Sequence, residues 1–353
     1  MLPEKLIRVY RHHKDDFSGV CLITQDANIL VSEANGFANR DFNVKNTIDT
    51  RFDAASVTKI FTAVAILQLV EQGFLQLNDK IHDVLDLKDT AIPVDVTIEH
   101  LLNHTSGIAD DADEEAGEDY SALFINKPNY AIRNCADFIP QFAYKAPLFR
   151  AGTNVRYNNC AFILLGIAIE QRSGMEYREY VTEHVFKAGG MVNTFFGAKD
   201  EVCPNTAEGY TAIRDECGKF IKWKKNIYSY PPIGTADGGA LTTVGDLNGL
   251  IHALKKGALL SKDYVDILLS PHCGFKRQHR LGTWQTGYGF EFLESNGKIF
   301  CIYKEGGNIG VDAICSYYPN LNIGLYMLAN QDGPFWTMYS QMQTVIYEVE
   351  NAY

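Results

Sequence analysis

Phe52-Asp53-Ala54-Ala55-Ser56-Val57-Thr58-Lys59 runs directly into an apolar stretch in which Ile60, Ala63, Val64, Leu67 and Val70 recur at three- and four-residue spacing. That spacing predicts a helix with one apolar face, beginning near Ser56 and closed by Gly73 as its C-terminal cap. On a helix, positions i and i+3 share a face, so the Ser56 hydroxyl and the Lys59 amine come within hydrogen-bond reach. A serine hydroxyl is a weak nucleophile until a neighbour takes its proton, and a helix N-terminus favours negative charge developing on that oxygen. S-x-x-K by itself is a weak signal, so the weight has to come from partners elsewhere in the chain.

Upstream of this junction the pattern is strand-like. Gly19 to Thr24, a turn over Gln25-Asp26-Ala27-Asn28, and Ile29 to Ser32 read as a hairpin. Downstream it is helical, through Thr97 to Leu102, Ala161 to Arg172 and Val244 to Leu254. Strand-like runs return at 288–292, 298–303, 313–317 and 323–328, and Met338 to Glu348 closes the chain as a helix. Strands at both ends with helices between predict an α+β architecture with a discontinuous sheet domain. Residues 1–50 and 236–353 would form an antiparallel sheet flanked by helices, and 51–235 a mainly helical domain. A site between the two is the default place for a ligand.

The 353 residues carry a formal net charge of −11, which disfavours nucleic acid and anionic membranes as partners. No apolar run reaches the roughly 18 residues that a membrane-spanning helix needs. Met1-Leu2-Pro3-Glu4-Lys5 lacks the basic-then-apolar order of a secretory leader. The 8 cysteines are scattered without short spacings, the usage of small buried hydrophobes in a reducing compartment. These features predict a cytoplasmic protein, exported only if a leader has been removed. The acidic stretch Asp110 to Glu115 reads as a solvated loop.

Two further segments supply partners for Ser56 and Lys59. Arg156-Tyr157-Asn158-Asn159-Cys160 precedes an apolar helix and offers a phenol as proton shuttle and an amide for the lysine or a substrate carbonyl. Lys304-Glu305-Gly306-Gly307-Asn308-Ile309-Gly310 follows a strand, and its glycines let backbone approach a ligand closely.

Taken together and in this order, these elements resemble the penicillin-recognising serine hydrolases: class C beta-lactamases, D,D-peptidases and related esterases. Phe52 to Lys59 is similar to that family's nucleophile segment, and Tyr157-Asn158-Asn159 to its Y-x-N element. Thr97 to Ile108 resembles its stretch ending L-L-x-H-T-S-G. Gly239 to Leu247 resembles its G-G-L-x-S-T-x-x-D-L segment, and Lys304-Glu305-Gly306-Gly307 stands in the place of K-T-G or H-x-G. The resemblance implies the beta-lactamase/transpeptidase-like fold and an acyl-enzyme on Ser56. Lys59 would accept the serine proton or hold Tyr157 in a low-pKa state, and Tyr157 would relay the proton. Asn159, Lys304, Gly306 and Gly307 would bind substrate, and the N–H groups of Ser56 and Gly307 would form the oxyanion hole. No cofactor and no metal is implied.

Glu305 departs from the family pattern. A glutamate where threonine is usual would repel a substrate carboxylate unless it points away. That departure, with the expected location, ranks carboxylesterase or D-amino-acid peptidase above true beta-lactamase. The partner would be a small molecule or short peptide; the sequence does not give the oligomeric state. The alternative is a catalytically weak ligand-binding or regulatory protein on the same scaffold. His100 and His104 have metal-ligand spacing without a third ligand, which predicts structural or capping roles. Tyr228, Tyr230 and Trp284 fall in expected loops that could rim the cleft.

Overall fold

The structure is a computed structural model and describes residues 2–352. Eight strands form one antiparallel sheet: β1 (Gly19–Gln25), β2 (Asn28–Asn35), β3 (Arg277–His279), β4 (Gly282–Thr286), β5 (Glu291–Ser295), β6 (Lys298–Asn308), β7 (Val311–Tyr318) and β8 (Ile323–Ala329). Their spatial order is β2-β1-β8-β7-β6-β5-β4-β3. The N-terminal hairpin joins the C-terminal strands where β1 pairs with β8, with Gly19 opposite Ala329 and Cys21 opposite Met327.

Both faces of the sheet are covered, which is why β8 is apolar and buried throughout rather than alternating. Period-two side-chain alternation divides the core into two layers. Val20, Leu22, Ala313, Cys315 and Leu328 face α2 (Lys59–Glu71), α3 (Asn159–Ser173) and α4 (Val244–Lys255). Cys21, Ile23, Ile314, Leu325 and Met327 face the other way, onto α1 (Leu2–His13) and α5 (Phe335–Glu350). The first layer, which carries the site, is called the front here. α1 was not expected from the sequence; it is held by Leu6 and Tyr10, buried in the rear layer.

Three further expectations are corrected. The helix after Ser56 is not one-faced: every residue from Lys59 to Leu69 is buried, because α2 lies between the sheet and other helices. Gly73 does end it, at φ +78° just beyond the last turn. The strand expected over 288–292 starts only at Glu291. Gly289, at φ +69°, turns against α2, where a Cβ would lie 2.8 Å from the Ala63 Cβ. The strand expected over 298–303 instead runs to Asn308, so Lys304 lies within it rather than at its end; Lys304 to Asn308 pair with Cys315 to Val311. Among the described residues, no helix is long and apolar enough to cross a membrane.

Candidate active site

The nucleophile segment is a strained turn held from several sides. Phe52 and Asp53 pair with Thr242 and Leu241, and a short 3-10 turn over Ala55–Thr58 then leads into α2. Ala55 sits at φ +41°, a conformation a non-glycine residue holds only when its surroundings impose it. Here they do: Ala55 N–H donates to Asp53 Oδ1 at 2.7 Å, Ala54 N–H to the Ala240 carbonyl at 2.8 Å, and Ala240 N–H to Thr58 Oγ1 at 3.0 Å. Gly306 of β6 closes the other side. A Cβ there would stand 2.4 Å from the Ala54 carbonyl oxygen and 3.0 Å from Ser56 N. Gly306 therefore serves close packing against the turn, while Gly307 lines the cleft beside Ser56.

Ser56 Oγ accepts from Tyr157 Oη at 2.7 Å and from Lys59 Nζ at 3.1 Å. Lys59 Nζ also donates to Asn159 Oδ1 at 2.7 Å and to the Asp237 carbonyl at 2.6 Å. These two acceptors occupy two N–H bonds, so a neutral Lys59 directs its lone pair at Ser56. Burial, opposed by the Asp237 charge and aided by Lys304, lowers the Lys59 pKa from 10.5 to about 8. Burial and the Glu114 carboxylate push the Tyr157 phenol well above its usual range. Tyr157 is thus a neutral donor to Ser56, not the low-pKa phenol that the resemblance allowed.

Lys304 is 3% exposed and donates to Glu291 Oε1 at 2.8 Å; its Nζ lies 4.7 Å from the Tyr157 ring centre. Burial works against the Glu291 carboxylate, but Lys304 holds it below the usual range. Glu305, one residue on, faces the opposite side of the sheet. Gly306 and Lys304 look toward the nucleophile, while Glu305 pairs with Ile314 of the rear layer. The repulsion of a substrate carboxylate anticipated from the sequence is therefore not aimed into the site. Although Glu305 is surface-exposed, dense packing around its carboxyl and the Glu291 charge push it up to about 7.

The tyrosine segment is fixed from below. Asn158 caps α3 by accepting from Ala161 N–H at 2.6 Å. Its own N–H donates to His104 Nδ1 at 3.2 Å, and the His104 ring lies 4.8 Å from that of Tyr157. Burial and the charges of Lys304 and Lys59 keep His104 neutral, as an accepting Nδ1 requires. His100 belongs to a capping box with Thr97. Asp110 accepts from Asn159 N–H at 2.8 Å and Cys160 N–H at 3.0 Å.

Asp110, Asp111 and Cys160 bring ligand-type atoms within 4.8 Å of one another. Both Asp110 oxygens already accept backbone N–H groups, so the cluster anchors the tyrosine turn, and burial with the Asp110 charge pushes the Asp111 carboxyl well up. The acidic stretch expected to be a solvated loop is corrected in its first half, where Asp110, Asp111 and Ala112 are buried; Glu114 and Glu115 are exposed, with Glu114 lining the cleft. Glu114, Asp237 and Glu291 were missed in the sequence because each reaches the site only by chain reversal. Of the rim aromatics, Tyr230 lines the cleft, Tyr228 is exposed elsewhere, and Trp284 belongs to β4, where it bonds Glu291 at 2.8 Å.

The cleft between Ser56, Asn159, Asp237 and Gly307 encloses about 580 Å³, room for a small molecule or short peptide. An antiparallel sheet flanked by helices, with a Ser-x-x-Lys turn, a tyrosine and a strand lysine around one cleft, defines the beta-lactamase-like serine hydrolase class. A family model described as Beta-lactamase matches residues 5–340, and the chain belongs to that family. Penicillin-binding protein 4* of Bacillus subtilis (strain 168) is 30% identical over 90% of this chain and 69% of its own length. Protein flp of Staphylococcus aureus (strain MW2) is 28% identical over 89% of this chain, which spans only 59% of that relative. Among solved structures, a penicillin binding protein from Bacillus halodurans superimposes with a TM-score of 0.86 at 36% identity, covering 99% of this chain and 100% of that one.

Proposed function

We propose that the protein is an acyl-transfer hydrolase in which Ser56 is acylated by a carboxylic ester or amide. The observation that carries this reading is the convergence on Ser56 Oγ of Tyr157 Oη at 2.7 Å and Lys59 Nζ at 3.1 Å. Neutral Lys59 takes the serine proton as Oγ attacks the carbonyl carbon. Tyr157 relays a proton to the leaving group, and in the second half-reaction the same pair activates water. The N–H groups of Ser56 and Gly307 receive the tetrahedral oxygen, and removal of one such donor typically costs about 3 kcal/mol. Lys304, paired to Glu291, contributes a fixed positive charge beside Tyr157.

The ranking of carboxylesterase or D-amino-acid peptidase above beta-lactamase rests on Glu305 and on the expected location. The orientation of Glu305 removes one objection to a carboxylate-bearing substrate, so nitrocefin belongs in the test. Intact-mass spectrometry after p-nitrophenyl acetate, with peptide mapping, is expected to find a single acetyl adduct on Ser56. Comparison of kcat/KM on that ester and on nitrocefin then ranks the two chemistries. A folded protein with no adduct would overturn acyl transfer in favour of a ligand-binding role.

A further inference from the structure

The acids at the front of the cleft are not equivalent. Asp113 is held by Arg156 through a 2.7 Å ion pair, and Glu115 by Arg277 at 3.3 Å while accepting from Tyr157 N–H at 2.9 Å. Glu114, between them, lines the cleft and, among the described residues, forms no ion pair with a lysine or arginine. Its Oε1 accepts from Asn159 Nδ2 at 2.8 Å. The amide cannot be turned round, because Lys59 Nζ needs an oxygen at 2.7 Å on the other side. Both ends of Asn159 are therefore engaged, and the group a substrate meets there is a carboxylate rather than a free amide N–H.

Glu118, Asp119 and Asp237 line the same cleft. Its other cations are engaged: Lys225 pairs with Asp41 and Glu208, and Lys199 stands 3.4 Å from the centre of the Tyr230 ring, beside Asp53. A carboxylate has acceptor capacity for several donors, and Asn159 uses one. An ammonium group supplies the charge and the N–H donors that this wall lacks.

We propose that Glu114 is a specificity-determining residue that receives a protonated amine on the acyl side of the substrate, so that the cleft selects amino-acid or short-peptide esters and amides with a free amine over their N-acylated counterparts. This rests on the acyl-enzyme reading above.

The test uses the full chain, wild type and Glu114→Gln, with alanine p-nitroanilide and N-acetylalanine p-nitroanilide, each as both enantiomers. The readout is the ratio of kcat/KM for free over acetylated amine. Wild type is expected to favour the free amine by about 10-fold or more. In Glu114→Gln that ratio is expected to collapse toward one, with the loss on the free amine appearing mainly in KM. A wild-type ratio at or below one overturns the assignment. So does an equal fall on both substrates, which is the signature of Glu114 acting only as a counter-charge for Lys59 or as a strut for Asn159. If no substrate turns over and p-nitrophenyl acetate leaves no adduct on Ser56, acyl transfer falls and the assignment with it. Equal turnover of both anilides with Ser56 acetylated overturns the amine assignment alone.

Discussion

Ile314 and Lys304 lie on neighbouring strands β7 and β6, yet they belong to different chemistries. Ile314 and its rear-layer companions Leu325 and Met327 sit in an apolar core sealed by α1 and α5. Lys304, on the front, joins a second buried lysine, Lys59, within a network of polar groups around Ser56. The rear face lowers free energy by removing apolar surface from water. The front face spends part of that stability on charge. Lowering the Lys59 pKa from 10.5 to about 8 corresponds to about 3 kcal/mol of unfavourable burial of its charged form. The difference teaches that stability and chemistry are separable on this scaffold, face by face.

The strongest way to break that comparison is Ser56→Ala. It is expected to lower kcat/KM on p-nitrophenyl acetate at least about 10⁴-fold while leaving the thermal melting temperature unchanged. A comparable loss of stability would mean that the front turn carries the fold as well. The converse substitution is Leu325→Ala, fully buried at the rear. Urea unfolding should show a loss of about 2–5 kcal/mol, with unchanged kcat/KM per folded molecule.

The pH profile sharpens the front side. If neutral Lys59 is the base, the reactive form grows as pH rises through about 8, and kcat/KM should climb about 50-fold between pH 6 and pH 8. A profile already flat at pH 6 would exclude Lys59 as the titrating base. Glu305 also titrates, near 7, but from the rear side of β6. Glu305→Gln should therefore preserve the Lys59 limb and change kcat/KM by less than about 2-fold. A larger change, or loss of the limb, would show that the two faces communicate through the Lys304–Glu291 pair.

Much of the molecule was legible before any coordinates. The hairpin at 19–32, the helix over 161–172 and the last strands are marked by apolar runs bounded by turn residues, a signal that depends only on residues near in sequence. The segments carrying Ser56, Tyr157 and Lys304 were legible because a nucleophile, a relay and a glycine-flanked lysine leave recognisable short patterns. The all-round burial of α2 was not, since a helix buried on every side lacks the one-faced pattern that periodicity detects. The start of the acidic stretch, at 110–112, misled for a related reason: charge predicts solvation unless distant N–H groups, here those of Asn159 and Cys160 on Asp110, satisfy it.

The sequence by itself determined the fold class, the discontinuous sheet and the residues that converge on Ser56. Only the tertiary structure decided that Glu305 turns away, that Lys59 is buried with a lowered pKa, and that Glu114 faces the cleft beside Asn159. Each of these depends on strand register, enclosure or chain reversal across tens to hundreds of residues. The energies involved are set by which groups share a low-dielectric volume, and composition and spacing do not encode that.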